Sequence, residues 1–403
     1  MKRQLRDYRI PALGLVIVAT GFGCATDTAL SRPQLSTQET VTILRANQFA
    51  ALNRYYSDVQ AGYDHGSVSD ERLRSAFRHF YDSSPDLAAR YATWVNDMPN
   101  SYVAHLARAI YYIRVGEASR GNMTIAYTSG AQLRGMDSAF ATASSELEKS
   151  VSLEKKPLLS VFYQLDIGKF EGDAAHNRAL LQNSLAIDRK NFIVREMYMQ
   201  TLQTAWGGST EQLKAFVADN RTAGLSTRQM KDLESLVFAD EAWVDEVDNE
   251  NYKRAATEYL EAAKLSDDEV CLLCAGKVLV KAEQFPAAAK VLTQYLARDP
   301  ESMEALKLRV YVYFKLGRTT DERCDYQRLA NLGDAYSEYM IGTMYLVGQN
   351  GLAKDREAGI RWLRRAAAQG DPSATKLLPV ALDKRYTIVS RPGGVAAIRS
   401  PTS

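Results

Sequence analysis

The chain of 403 residues is poor in the side chains that carry most enzyme chemistry, with four cysteines and four histidines. The histidines, His65, His79, His105 and His176, belong to no recognised metal-ligand motif. No zinc or other cofactor is therefore expected. A Gly-x-Ser-x-Gly elbow and a phosphate-cradling Gly-Lys-Ser/Thr loop are both missing, which removes the common hydrolase and nucleotide-binding signatures. Charge of one sign is missing too. Fifty basic residues face 48 acidic ones, a formal net charge of +2. No long basic run tracks a phosphate backbone, so nucleic acid is not an expected partner. What remains is ordinary for a globular protein that buries a core, with 46% hydrophobic and 24% charged residues. The length calls for two domains or one elongated repeat array.

The first residues stand apart. "MKRQLRDYR" is basic and "IPALGLVIVATGFG" is apolar but shorter than the ~20 residues of a spanning helix. This pattern reads as a secretion signal over 1–24. Gly21, Phe22 and Gly23 before Cys24 resemble the lipobox of bacterial lipoproteins, which implies a lipid anchor at Cys24. Plain cleavage near this point and retention as an uncleaved anchor are the alternatives. All three place the body outside the cytoplasm, and the expected location is periplasmic. Ala25, standing where Asp would suggest inner-membrane retention, favours the outer membrane by the same resemblance. Cys271, Cys274 and Cys324 then remain. An odd number argues against a disulfide framework, although one bridge among them stays open. "CLLC" has redox spacing but lies within a helical apolar run, so two small core residues are the simpler expectation.

From Gln38 onward, apolar residues recur three and four apart and no alternating strand run stands out. The expected fold is all-α, an α-solenoid of antiparallel helix pairs. Ser84-Pro85, Asp299-Pro300 and Asp371-Pro372 each place a capping oxygen before a proline, a pattern that predicts three helix starts. An internal period runs through about 236–383: Ala255 recurs as Ala288 and Tyr259 as Leu292, each 33 residues on. Gly276, Ala288 and Pro300 carry a unit over 269–302 that resembles a tetratricopeptide repeat. It departs from the family at Tyr295, where a small residue is usual.

A more specific pattern follows at 335–374. Gly342, Tyr345, Gly348, Gly351, Lys354-Asp355, Ala358, Trp362, Ala366 and Gly370 resemble the Sel-1-like repeat, a relative of the tetratricopeptide repeat. Gly342 is expected to oppose Ala358 and Ala366 where helices cross, Gly348 and Gly351 to make the turn, Asp355 to cap, and Trp362 to fill the seam. The N-terminal half carries Trp94, Pro99, Ser101, Arg120-Gly121 and Trp206-Gly207-Gly208-Ser209. Together these resemble a bacterial domain of unknown function joined to Sel-1-like repeats in envelope proteins. Ser209 and Gln212 also fit a capping box. The expected organisation is a signal (1–24), a linker (25–37), a helical domain (38–225), tetratricopeptide-like pairs (226–331), a Sel-1-like repeat with a capping helix (332–383) and a flexible tail (384–403).

No catalytic site is expected. His105 lies in an apolar helical run and reads as a hydrogen-bonded core histidine. Glu146, Glu148, Lys149, Glu154, Lys155 and Lys156 read as a solvated helix face. Twenty-two tyrosines, with pairs at Tyr55-Tyr56 and Tyr111-Tyr112, suggest that some rings line a recognition surface. The expected function is non-enzymatic binding of another protein. Resemblance to exported Sel-1-like proteins implies an immunity protein that occludes a periplasm-acting type VI secretion toxin such as a phospholipase. A housekeeping envelope scaffold and a cell-envelope hydrolase are the alternatives.

Overall fold

Side-chain oxygens set most helix starts in this chain. A serine, aspartate or asparagine just outside a helix accepts a backbone N–H that has no partner inside it. The computed structural model describes residues 35–121, 127–266, 269–391 and 394–399, so the signal and Cys24 lie outside the described residues. Among the described residues, eleven α-helices form a first unit that ends at Val247. They are α1 Thr37–Arg45, α2 Phe49–Asp64, α3 Asp70–Phe77, α4 Leu87–Asp97, α5 Tyr102–Arg120, α6 Gly130–Leu153, α7 Leu158–Glu171, α8 Ala174–Ile187, α9 Phe192–Thr201, α10 Thr210–Asn220 and α11 Thr227–Val247. A second unit, from Asp248, holds α12 Tyr252–Leu265, α13 Val270–Lys281, α14 Phe285–Arg298, α15 Met303–Lys315, α16 Thr319–Asn331, α17 Ala335–Val347, α18 Arg356–Ala368 and α19 Pro372–Leu382, then strands β1 Tyr386–Arg391 and β2 Gly394–Arg399. The fold class is all-α, in keeping with an α-solenoid of repeats.

The first unit is built on an aromatic core. Trp94, Tyr56, Tyr91, Phe77 and Phe80 are essentially inaccessible. The Phe49 and Trp94 rings stack at 5.9 Å, and Tyr56 meets Phe80 at 4.6 Å. Such rings supply large buried area with defined geometry. A smaller core of Phe192, Met199, Leu213, Val217, Leu233 and Val237 ties α9, α10 and α11 together. That core explains why this unit runs on to Val247, beyond the boundary near 225 expected from the repeat pattern.

In the second unit each helix packs chiefly on its neighbours in sequence, the arrangement of a repeat stack. Ala255, Ala288 and Leu292 are fully buried and Tyr259 nearly so, which places the 33-residue period in the core. Two of the three predicted proline-marked starts differ from expectation. Asp371 caps α19 with Pro372 at its first position, but α15 begins after Ser302, whose hydroxyl accepts from Ala305 N–H, leaving Pro300 in the preceding turn. Ser84 is bonded to Asp82, and α4 starts only at Leu87.

The flexible tail expected over 384–403 is, at its described residues, an antiparallel hairpin pairing Tyr386 with Arg399 and Arg391 with Gly394. Ile388 is 3% exposed and joins Leu346, Leu363, Ala366, Ala374 and Ala381 in one core. Arg356 holds the hairpin's base. Its guanidinium donates to the carbonyls of Ala381 (3.0 Å), Asp383 (2.8 Å) and Tyr386 (2.9 Å). A short strand pair is marginal alone, and here a helical core covers one face of it.

Candidate functional site

Three helix faces with residues three and four apart converge in the second unit. Lys307, Val310, Tyr311 and Phe314 lie along α15, Glu322, Tyr326 and Leu329 along α16, and Tyr336, Tyr339, Met340 and Thr343 along α17. Together with Gln349, Ser373 and Ser390 they line a groove of about 860 Å³. Three of its rings are open to solvent: Phe314 is 65% exposed, Tyr336 53% and Tyr311 44%. Tyr336 lies 6.4 Å from Tyr326 and 6.1 Å from Tyr339, and Tyr311 sits edge-on to Phe285 at 6.1 Å with Lys315 over both rings. An exposed cluster of amphipathic rings is the usual material of a protein-binding surface.

The groove's charges are few. Asp334 caps α17 by accepting from Ser337 N–H at 3.0 Å and pairs with Lys307 at 2.5 Å. Burial pushes its carboxyl up, but Lys307 and Ser337 more than offset this and hold it below the usual carboxylate range. Glu322 has no such relief, and burial pushes its carboxyl above the usual range. Arg309 grips Asp325 through two bonds of 2.7 Å and reaches Thr293 at 2.9 Å, joining α14, α15 and α16.

The residues singled out by sequence have structural surroundings. Gly342 faces Gly359 and Leu363, not Ala358 and Ala366: a β-carbon at Gly342 would lie 3.1 Å from the Gly359 carbonyl, and one at Gly359 would lie 2.9 Å from that of Gly342. Leu363, fully buried, fills that seam, whereas Trp362 is half-buried with Arg365 over its ring at 4.5 Å. Ala358 and Ala366 are buried in α18. Gly348, Gly351 and Gly370 have positive φ of 75°, 81° and 86°. Asp355 caps α18 through Ala358 N–H at 2.9 Å and donates its own N–H to the Tyr345 carbonyl at 2.8 Å. Gly276 approaches Leu292 so closely that a β-carbon would lie 2.7 Å from its side chain. Cys271 and Cys274 are buried on α13, and Cys324 is exposed on α16.

In the first unit, Trp94 is core, Ser101 caps α5, and Arg120 bonds the carbonyl of Gly121. Ser209 caps α10 through Gln212 N–H at 3.3 Å, and a β-carbon on Gly208 would run into the Leu202 carbonyl. His105 is held between Glu146 at 2.5 Å and the Pro99 carbonyl at 2.9 Å, with Arg108 on the same carboxylate at 2.7 Å. Glu146 is thus not part of a solvated face; it joins α5 to α6. Lys156 is likewise bonded to the Asp64 carbonyl at 2.7 Å. In each of the two tyrosine pairs one ring is buried, Tyr56 and Tyr111, and the other, Tyr55 and Tyr112, is half-buried against the same core. The exposed tyrosines of the groove were not distinguished in the sequence, where only the 3–4 spacing within each helix marked them.

One ion-pair cluster of this unit centres on Asp166, which meets Arg114 and Lys169 at 2.5 Å each. Arg114 also meets Glu117 at 2.6 Å, and Arg74 pairs with Glu196 at 2.6 Å. Asp166, Glu117 and Glu196 each have a cation beside them, as in a structural network joining α3, α5, α7 and α9. Among the described residues no group of three histidine, cysteine or acidic side chains is placed to hold a metal ion, and no helix is long and apolar enough to cross a membrane.

Residues 335–371 match the Sel1 repeat. No curated protein matches the chain. Among solved structures, it is similar to the crystal structure of c5321, "a protective antigen present in uropathogenic Escherichia coli strains displaying an SLR fold", at 16% identity and a TM-score of 0.32. The match covers 85% of this chain and 66% of that one, so the chain spans less than two thirds of the similar structure's length. A Sel1-repeat α-solenoid is typically a non-catalytic scaffold for protein interaction.

Proposed function

We propose that this chain acts without turnover, by holding a segment of another protein in the groove between α15, α16 and α17. The observation that carries the reading is the cluster of Tyr311, Phe314 and Tyr336, large rings left open to solvent on a rigid stack of helices. Such rings give contact area at low ordering cost. In the sharper form, the protein is exported, anchored by lipid at Cys24, and protects its cell by occluding a periplasm-acting type VI secretion toxin. Support for that form is the leader-like N-terminus together with the resemblance of 335–374 to the Sel-1-like repeat.

Co-expression with candidate periplasmic toxins tests it. Wild-type chain is expected to rescue growth, and Phe314→Ala with Tyr336→Ala to lose the rescue while remaining folded. Rescue that survives both substitutions places the binding surface elsewhere. For the anchor, Cys24→Ala is expected to move the protein from the membrane to the soluble fraction, and a variant that stays membrane-bound after loss of its signal refutes lipidation.

A further inference from the structure

Apolar character alone does not account for Glu322. It lies in the first turn of α16 among the groove-lining side chains, at 7% exposure. Among the described residues its carboxylate makes no hydrogen bond or ion pair, and its oxygens are not sealed from solvent. The positive end of a helix favours an acid in its first turn, which explains an acid in solvent but not one whose side chain is largely buried in the groove wall. Carboxylates drawn into the protein are ordinarily paired, as buried Asp325 and half-buried Asp334 are nearby. The other charged residues lining the groove, Lys307 and Asp334, neutralise each other. Glu322 is therefore the one lining charge left without a counter-charge.

We propose that the groove's occupant is a peptide segment carrying a lysine or arginine between apolar residues, its cationic head on Glu322 and its flanking side chains against Phe314, Tyr326 and Tyr336. This rests on the groove being the binding surface. The chemistry is complementary on both counts: a lysine or arginine stem is itself apolar and keeps only its head polar, and tyrosine rings attract a cation passing over them. An acidic segment would meet an uncompensated carboxylate and be rejected.

A random twelve-residue peptide library, selected on the purified chain, tests the inference. Groove binders are those lost on Phe314→Ala or Tyr336→Ala. In these, lysine and arginine are expected to be enriched, with the enrichment absent when the selection is repeated on Glu322→Gln. A selected cationic peptide is expected to bind Glu322→Gln roughly tenfold or more weakly, as loss of a desolvated interfacial charge partner entails. The unliganded Glu322→Gln protein is expected to melt no lower than wild type. Groove binders without basic enrichment, or bound equally by Glu322→Gln, overturn the inference and leave the groove standing. A lowered melting temperature for Glu322→Gln assigns the carboxylate a structural role and overturns it too. A selection that yields no groove-dependent binder overturns the groove itself.

Discussion

Asp166 illustrates how much a single buried residue can depend on its neighbours. Burial alone pushes its carboxyl up, but Lys169 and Arg114 overcome that and hold it at about 2. A depressed folded value means stability that is fully present above the ordinary 3.8 and is lost as pH falls toward about 2. Denaturant titrations at stepped pH should show this loss in wild type, and Asp166→Asn should flatten that part of the profile. The same variant should be less stable at neutral pH, because Arg114 and Lys169 lose their shared partner. Arg309→Ala is a second case. It leaves Asp325, 2% exposed, with only the longer 3.7 Å contact to Arg328 in place of its bidentate partner, and should cost up to about 3 kcal/mol in denaturant unfolding, the low end of the penalty for an uncompensated buried charge. Neither pairing could be read in the sequence: Arg114 and Asp166 are 52 positions apart, and nothing in the pattern tells a paired acid from a solvated one. Glu146 and Glu322 show the same limit, one half-buried against His105 and the other largely buried without a cation.

At the scale of elements, local signals were far more legible. Ser209, Asp355 and Asp371 stand where capping chemistry requires an acceptor, and each accepts the expected N–H. Proline was a weaker guide, since Pro85 and Pro300 sit in turns before helices that other residues begin. The crossing of α17 and α18 was legible only as a need for small residues, because which glycine meets which depends on how the helices rotate about their axes. Gly359→Ala tests the observed contact. Its β-carbon would lie 2.9 Å from the Gly342 carbonyl and 2.7 Å from Leu346, and overpacking of this kind should cost roughly 1–3 kcal/mol in thermal or chemical unfolding. Ending the chain after Asp383 tests the hairpin. Removing Ile388 from the core of α17, α18 and α19 should cost about 1.5–3 kcal/mol, and hydrogen exchange should speed up first in α19.

For the whole molecule, the chain resolves into two units, each with its own buried core. Expressed separately, residues 35–247 and 248–403 should each unfold in one cooperative transition by calorimetry. Failure of 248–403 to fold alone would mean that the repeat stack needs a cap it does not itself contain. The sequence by itself determined the helical class, the 33-residue period and the small-residue positions of the Sel1 repeat, because periodicity, capping and helix crossing act over a few residues or one repeat. Only the tertiary structure decided that residues 386–399 form a hairpin, that α11 packs with α9 and α10, and that Phe314, Glu322 and Tyr336 share one groove. Those outcomes depend on side chains brought together from separate helices, where burial and the presence or absence of a counter-charge arise from the packing and leave no local mark in the sequence.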